Sequence, residues 1–172
     1  CHDAKSIFMI PQMLYEQGLV DVVFKKFAKV GYTNTSKNWD NWNTIVNSLQ
    51  KTDDVIKIAM IGKYVTLADS YVSVNEALKH SSASIGRSVN IEWIDSETLN
   101  GNLEHLDNFD GLLVPGGFGI RGSEGIIDTA TYALEKNIPY LGICFGFQLA
   151  AVAFGRKMCN LENANSTEIV SD

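Results

Sequence analysis

Between residues 55 and 158, short apolar runs rich in β-branched residues alternate with stretches whose apolar residues recur every three or four positions. That alternation constrains the fold more than any other feature of the chain. Lys57–Ile61 leading into Gly62 reads as a buried strand, and Val89–Ile94, Gly111–Val114 and Ile138–Ile143 as three further strands. A helix is predicted from Ser70 to Ile85, with Tyr71, Val74, Ala77, Leu78 and Ile85 on one face, and another from about Glu124 to Lys136. A third follows Cys144, with Phe147, Ala150, Ala151 and Phe154 as its expected inner stripe. Strands alternating with helices imply an α/β fold, a parallel sheet with helices on both faces. Such sheets bind ligands at the carboxyl ends of their strands. Two glycine-rich turns, Pro115–Gly122 and Gly142–Gly146, fall there.

The first 54 residues have a different character. Residues 1–31 carry helical spacing in Ile7, Ile10, Leu14 and Leu19, then in Val22, Val23, Phe27 and Val30. Pro11 suits a first helical turn, where its missing N–H costs nothing, and Gly18 suits a helix end. Residues 32–54 open with the turn formers Thr33–Asn38 and read as a linker with a short helix from Asn41 to Gln50. Trp39 and Trp42 lack the basic neighbours of a base-stacking platform, so packing of the linker onto a domain is the expectation.

Composition narrows the function classes. With 14 Lys+Arg against 20 Asp+Glu the net charge is -6, the wrong sign for gripping duplex nucleic acid. No apolar stretch approaches the roughly 18–20 residues of a membrane span. The start, Cys1-His2-Asp3-Ala4-Lys5, lacks the pattern of a signal peptide and has no initiating methionine, so the chain reads as a processed or partial product. Three cysteines without a C-x-x-C spacing argue against a disulfide framework or structural zinc site. A soluble, cytoplasmic protein is the expectation.

Gly142-Ile143-Cys144-Phe145-Gly146 has the form G-x-C-x-G between a strand and an amphipathic helix, the thiol counterpart of a nucleophile elbow. Its glycines permit a tight turn that lifts the cysteine off the sheet edge. The positive end of the following helix favours a thiolate. The Phe145 N–H would point towards an oxyanion formed by attack at Cys144. A buried structural cysteine at a βα junction is the alternative. The second turn weighs towards catalysis, because glycines let backbone N–H groups converge on an anion. Gly117-Phe118-Gly119-Ile120-Arg121-Gly122 also matches the dinucleotide fingerprint G-x-G-x-x-G. However, it does not follow the first strand, and the next strand ends in Ile143-Cys144 without the required acid. Nor is Gly62-Lys63 a phosphate-binding P-loop, for it lacks the preceding glycine and the following Ser/Thr.

The elbow and the Pro-Gly-Gly turn together resemble class I glutamine amidotransferases. More specific segments resemble the CTP synthase family: Gly62-Lys63-Tyr64, Asp69 to Leu78, Val114 to Gly125, Leu141 to Ala150 and Asn163 to Glu168. The opening His2 to Pro11 is similar to the end of that family's amidoligase domain. The resemblance covers residues 1–31 and 55–172 well and the linker poorly. It implies residues 1–31 as the end of the amidoligase domain, 32–54 as a linker, and 55–172 as a flavodoxin-like amidotransferase domain incomplete at its C-terminus. The glutaminase of another class I amidotransferase, or a non-catalytic α/β binding module, are the competing readings.

The resemblance implies conversion of UTP to CTP using ATP, Mg²⁺ and ammonia from glutamine, with GTP as activator, CTP as product inhibitor and a homotetramer as the assembly. By position, Cys144 is similar to the nucleophile, and the backbones of Gly117 and Phe145 to the oxyanion hole, worth roughly 3–4 kcal/mol per donor. Gly117, Phe145, Gly146, Phe147, Gln148 and Glu168 match glutamine-binding positions, Phe118 a position near the GTP effector site, and His2, Asp3 and Ala4 part of the ATP site. Most relatives have Leu and Met where this chain has Phe145 and Phe147, which should alter pocket shape more than mechanism. The family's Mg²⁺ and UTP contacts lie before Cys1, and its His-x-Glu pair and a glutamine-clasping arginine lie beyond Asp172. His80 and His105 read as surface residues of a helix and a loop, so residues 1–172 alone are expected to be a poor glutaminase.

Overall fold

In a computed structural model of the protein, residues 3–4, 6–27, 36–49, 54–65, 69–99 and 101–170 are described, with side chains in the third segment from Trp39 onward. Four parallel strands form one sheet: β1 (Val55–Gly62), β2 (Ser88–Asp95), β3 (Gly111–Val114) and β4 (Tyr140–Gly142), in the order β2-β1-β3-β4. This is the doubly wound order, in which the chain first moves outward to β2 and then reverses through β3. The register of β1 against β3 is clipped at its start. Lys57 N–H donates to Asp110 Oδ2 at 2.8 Å, and Asp110 N–H donates back to the Lys57 carbonyl at 2.8 Å.

Side chains that alternate along β1 and β3 divide between two cores, as the two-residue strand period requires. Ala59, Ile61, Leu112 and Val114 face α5 (Ser123–Lys136) and α6 (Phe145–Met158) in the larger core. Met60 and Leu113 face the other side and meet Tyr71, at the start of α4 (Val72–Ser84), with Val74 and Leu78 packed around them. The expected parallel sheet with helices on both faces is what the chain builds. Along α4 the expected face holds at Tyr71, Val74 and Leu78 but not at Ala77 and Ile85, which are exposed. Ser82 and Ala83 are buried instead, so the last turn of the helix packs through small residues that a count of large apolar side chains passes over.

The inner stripe of α6 is a second correction. Phe145, Gly146, Leu149, Val152 and Ala153 are buried, whereas Ala151 is exposed, Phe147 is 65% exposed and Phe154 49%. Both stripes are apolar at helical spacing, so periodicity alone does not choose between them. The choice is made by Gly146, where the helix backbone lies directly on the Val114 carbonyl. Phe147 and Phe154 line a groove of 510 Å³ with Leu134, Tyr140 and Ala150, on the flank of the edge strand β4.

Strand β4 is shorter than the predicted run. Ile138 N–H is taken by the Ala133 carbonyl where α5 ends, and Asn137 closes that helix in the left-handed conformation at φ 56°. Before the sheet, α1 (Ile10–Glu16) carries Pro11 in its first turn and ends before Gly18 at φ 79°, and α2 (Leu19–Lys26) follows. Helix α3 (Ser36–Leu49) begins five residues before the predicted linker helix. Trp42 Nε1 donates to the Phe8 carbonyl at 2.8 Å, and Trp39 packs on Tyr15 with ring centroids 5.1 Å apart. The tryptophans therefore pack α3 onto the segment that carries Phe8 and Tyr15, rather than standing as a stacking platform.

Tyr140, largely buried, donates its hydroxyl to the Gly146 carbonyl at 3.1 Å, and burial pushes its pKa well above the usual 10. A pKa raised in the folded state contributes stability that is complete below about pH 10, where unfolded tyrosine ionises, and is lost as pH rises further. Tyr140→Phe is expected to cost about 1 kcal/mol at neutral pH and to flatten the fall in stability above about pH 10. Urea midpoints of both proteins on either side of that pH check it.

Candidate active site

Strand β4 ends at Gly142 and α6 starts at Phe145, leaving Cys144 in the turn with φ 54° and ψ -114°. A non-glycine residue with positive φ is strained. Two glycines make the turn possible. A Cβ at Gly142 would come within 2.6 Å of the Phe147 nitrogen, and one at Gly146 within 2.3 Å of the Val114 carbonyl oxygen. The turn is then locked by backbone bonds. Ile143 N–H donates to Val114 at 2.9 Å, Gly146 N–H to Ile143 at 3.0 Å, and Phe147 and Gln148 N–H to the Cys144 carbonyl at 3.1 and 3.2 Å. The Cys144 thiol is exposed, and among the described residues the Phe145 N–H has no protein partner.

The neighbouring strand delivers the second turn to the same place, since Val114 at the end of β3 is in register with Gly142 at the end of β4. Gly116 faces the cysteine: a Cβ there would lie 3.4 Å from Cys144 Cβ and 3.9 Å from Sγ. Gly117 packs over the end of β1, where a Cβ would meet Tyr64 Cε2 at 3.4 Å and Lys63 Cδ at 3.9 Å. Its N–H too has no protein partner among the described residues. The exposed Phe118 ring lies 5.7 Å from the buried ring of Phe145, which joins the two turns directly.

Beneath them sits Lys63, which the sequence marked only as part of a rejected P-loop and of a family-like segment and to which it gave no role at the site. Lys63 is 5% exposed. Its Nζ donates to the Gly119 carbonyl and to Ser123 Oγ at 3.3 Å, and lies 4.8 Å from the centre of the Phe145 ring. Burial, and then the nearby Arg121, lower its pKa from the usual value. Arg121 donates to the Lys63 carbonyl at 3.0 Å and pairs with Glu97 at 3.1 Å. The signal available in the sequence was a lysine placed directly after a strand buried at its end.

The remaining candidates are placed as follows. Gly146 is buried, and Phe147 and Gln148 are exposed on the first turn of α6. Glu168 is exposed in the loop after α6, its N–H donating to Ser166 Oγ at 3.2 Å. That loop is held by Arg156, which donates to the Ala164 carbonyl at 2.8 Å and pairs with Glu124 at 2.9 Å. Asp3 is exposed and Ala4 half-buried at the N-terminus; His2 lies outside the described residues. His80, on α4, packs against Phe8 at 5.3 Å, and His105 lies in a 3₁₀ turn over Glu104–Asn108 rather than an irregular loop. Among the described residues no imidazole or carboxylate is bonded to the Cys144 thiol, and no group of three His, Cys, Asp or Glu is arranged to hold a metal ion. No helix among the described residues is long and apolar enough to cross a membrane. Cys159 ends α6 and is exposed.

An exposed cysteine held at positive φ between a parallel strand and a helix, beside a glycine turn with free N–H groups, has the geometry of a thiol nucleophile elbow facing donors for an anion. Residues 66–170 match the family described as glutamine amidotransferase class-I, and the chain belongs to that family. Within it, the chain is similar to CTP synthases. It is 41% identical over 175 residues to the CTP synthase of Methanopyrus kandleri, covering 99% of this chain and 32% of that protein. It is 43% identical over 171 residues to that of Staphylococcus haemolyticus, covering 98% and 32%. The chain thus spans about a third of the length of these curated relatives. The glutaminase domain of Trypanosoma brucei CTPS with bound acivicin matches its fold with a TM-score of 0.61 at 35% identity, over 66% of this chain and 45% of that one.

Proposed function

We propose that this chain supplies the glutamine-hydrolysing site of a cytoplasmic CTP synthase. The observation that carries this reading is the meeting of the Cys144 elbow with the Gly116–Gly117 turn, in a chain whose relatives of 41% and 43% identity are CTP synthases. The Cys144 thiolate adds to the carbonyl carbon of the glutamine side-chain amide, and the π electron pair moves onto oxygen. The free N–H groups of Gly117 and Phe145 receive that oxyanion. Collapse expels the nitrogen as ammonia once it has gained a proton, leaving a γ-glutamyl thioester. Water then attacks the thioester, releasing glutamate and restoring the thiol. Phe145 acts through its backbone, while Gly146, Phe147, Gln148 and Glu168 shape the glutamine pocket.

The ammonia would aminate UTP in an ATP-dependent reaction, with Mg²⁺, GTP activation and CTP inhibition as the relatives' class of enzyme implies, in a homotetramer. His2, Asp3 and Ala4, in the segment 1–31 read as the end of the amidoligase domain, are the proposed ATP contacts, and Phe118 the proposed GTP contact. A diazo-ketone glutamine analogue tests the site directly. Intact mass followed by peptide mapping should show one adduct, on Cys144, suppressed by free glutamine. Labelling spread over Cys144 and Cys159, indifferent to glutamine, would leave Cys144 a structural cysteine.

A further inference from the structure

Lys63 is a formal cation with almost no access to water, and the proposed chemistry does not use it. A buried ammonium is costly unless its surroundings need it. Its surroundings here are specific. The stem passes beneath Gly117, the ammonium bonds the Gly119 carbonyl and Ser123 Oγ, and the charge sits over the Phe145 ring. Gly117 and Phe145, the proposed oxyanion donors, both have N–H groups without a protein partner among the described residues. They belong to different strand-to-helix turns, and the buried lysine side chain touches both turns. Arg121, bonded to the Lys63 carbonyl and to Glu97, holds the lysine backbone from the other side.

We propose that Lys63 is the positioning residue of the oxyanion hole: it fixes the Gly117 turn against the Phe145 turn and adds a buried positive charge beside the developing oxyanion. The lysine touches no reacting atom; it acts through the placement of two backbone amides and through its charge. This rests on the glutaminase reading above. Catalysis tolerates little slack here, since displacement of a reacting group by about 1 Å costs on the order of 10²-fold in rate, and loss of an oxyanion donor costs about 10²–10³-fold.

Two reactions of the same thiol separate this role from others. Glutamine hydrolysis passes through an oxyanion. Alkylation by iodoacetamide forms the C–S bond as iodide leaves, with no oxyanion, and so reports the thiolate alone. The comparison is made in the intact protein that carries this sequence. Lys63→Met is expected to lower kcat for glutamine by about 10²-fold with KM within about threefold, the signature of an interaction made in the transition state. Peptide-resolved alkylation at Cys144 should keep its rate. Should Lys63→Met not fold, Lys63→Gln retains a donor of similar reach without the charge, and a kcat loss above about tenfold is expected of it. Alkylation falling in step with kcat would make Lys63 a thiolate-stabilising residue and overturn the proposal. So would unchanged kcat, or a loss confined to KM. Wild-type protein without glutaminase activity would overturn the glutaminase reading itself, a result distinct from any of these.

Discussion

In the intact protein, Cys144→Ala is expected to abolish glutamine-dependent CTP formation, by on the order of 10⁴-fold or more, while CTP formation from added ammonia survives. The size follows from covalent catalysis. Without the sulfur there is no thioester, and the free N–H groups of Gly117 and Phe145 polarise an amide that nothing attacks. The choice of alanine matters. It keeps the Cβ that packs at 3.4 Å from the Gly116 Cβ position and the same backbone preference at φ 54°, so the elbow is unchanged. Steady-state assays with each nitrogen source check it. Retention of both activities would make Cys144 structural, and loss of both would report a damaged fold.

The second large effect reverses a general rule. Replacing a helical glycine by alanine usually stabilises, by about 1 kcal/mol. Gly146→Ala in α6 is expected to destabilise by about 3 kcal/mol or more and to remove the active site with it. A methyl group there would sit 2.3 Å from the Val114 oxygen and 2.8 Å from Val114 Cγ1, so either α6 or β3 must shift. Gly155→Ala, in the same helix, meets only side-chain methyls at ordinary contact distance, Ala164 Cβ at 3.4 Å and Leu161 Cδ1 at 4.0 Å, and should be neutral or stabilising. Urea denaturation of the two variants side by side isolates the contact from helix propensity. Equal effects would mean that α6 can slide on the sheet, and that Gly146 does not set its position.

These glycines show what could be read from residues alone. The strands were legible because β1 and β3 end in apolar runs that suit burial on both faces of a parallel sheet, while the edge strand β2 alternates Val, Ile and Trp with polar residues. The elbow was legible because few local patterns put a cysteine between two glycines at the junction of a strand and a helix. The inward face of α6 was not. The large rings of Phe147 and Phe154 outweigh Gly146 on any hydrophobic count, yet a backbone contact with Val114, absent from any such count, orients the helix. Helix α3 was placed late because Ser36 and Asn38 look like turn residues, and its register is held by long-range contacts of Trp39 and Trp42. Lys63 escaped for a similar reason. Charge next to a strand end ordinarily means solvent, and its burial depends on a turn some 55 residues away.

The backbone at Cys144 carries a consequence beyond chemistry. Its positive φ is a conformation in which glycine would be at ease and any other residue is strained, at a cost of order 1–3 kcal/mol. The residue that confers reactivity is thus the one the fold would most readily exchange for something inert. Activity and thermodynamic stability are set against each other at a single position, so a survey that ranks substitutions by stability alone would favour Gly at 144 and retire the nucleophile.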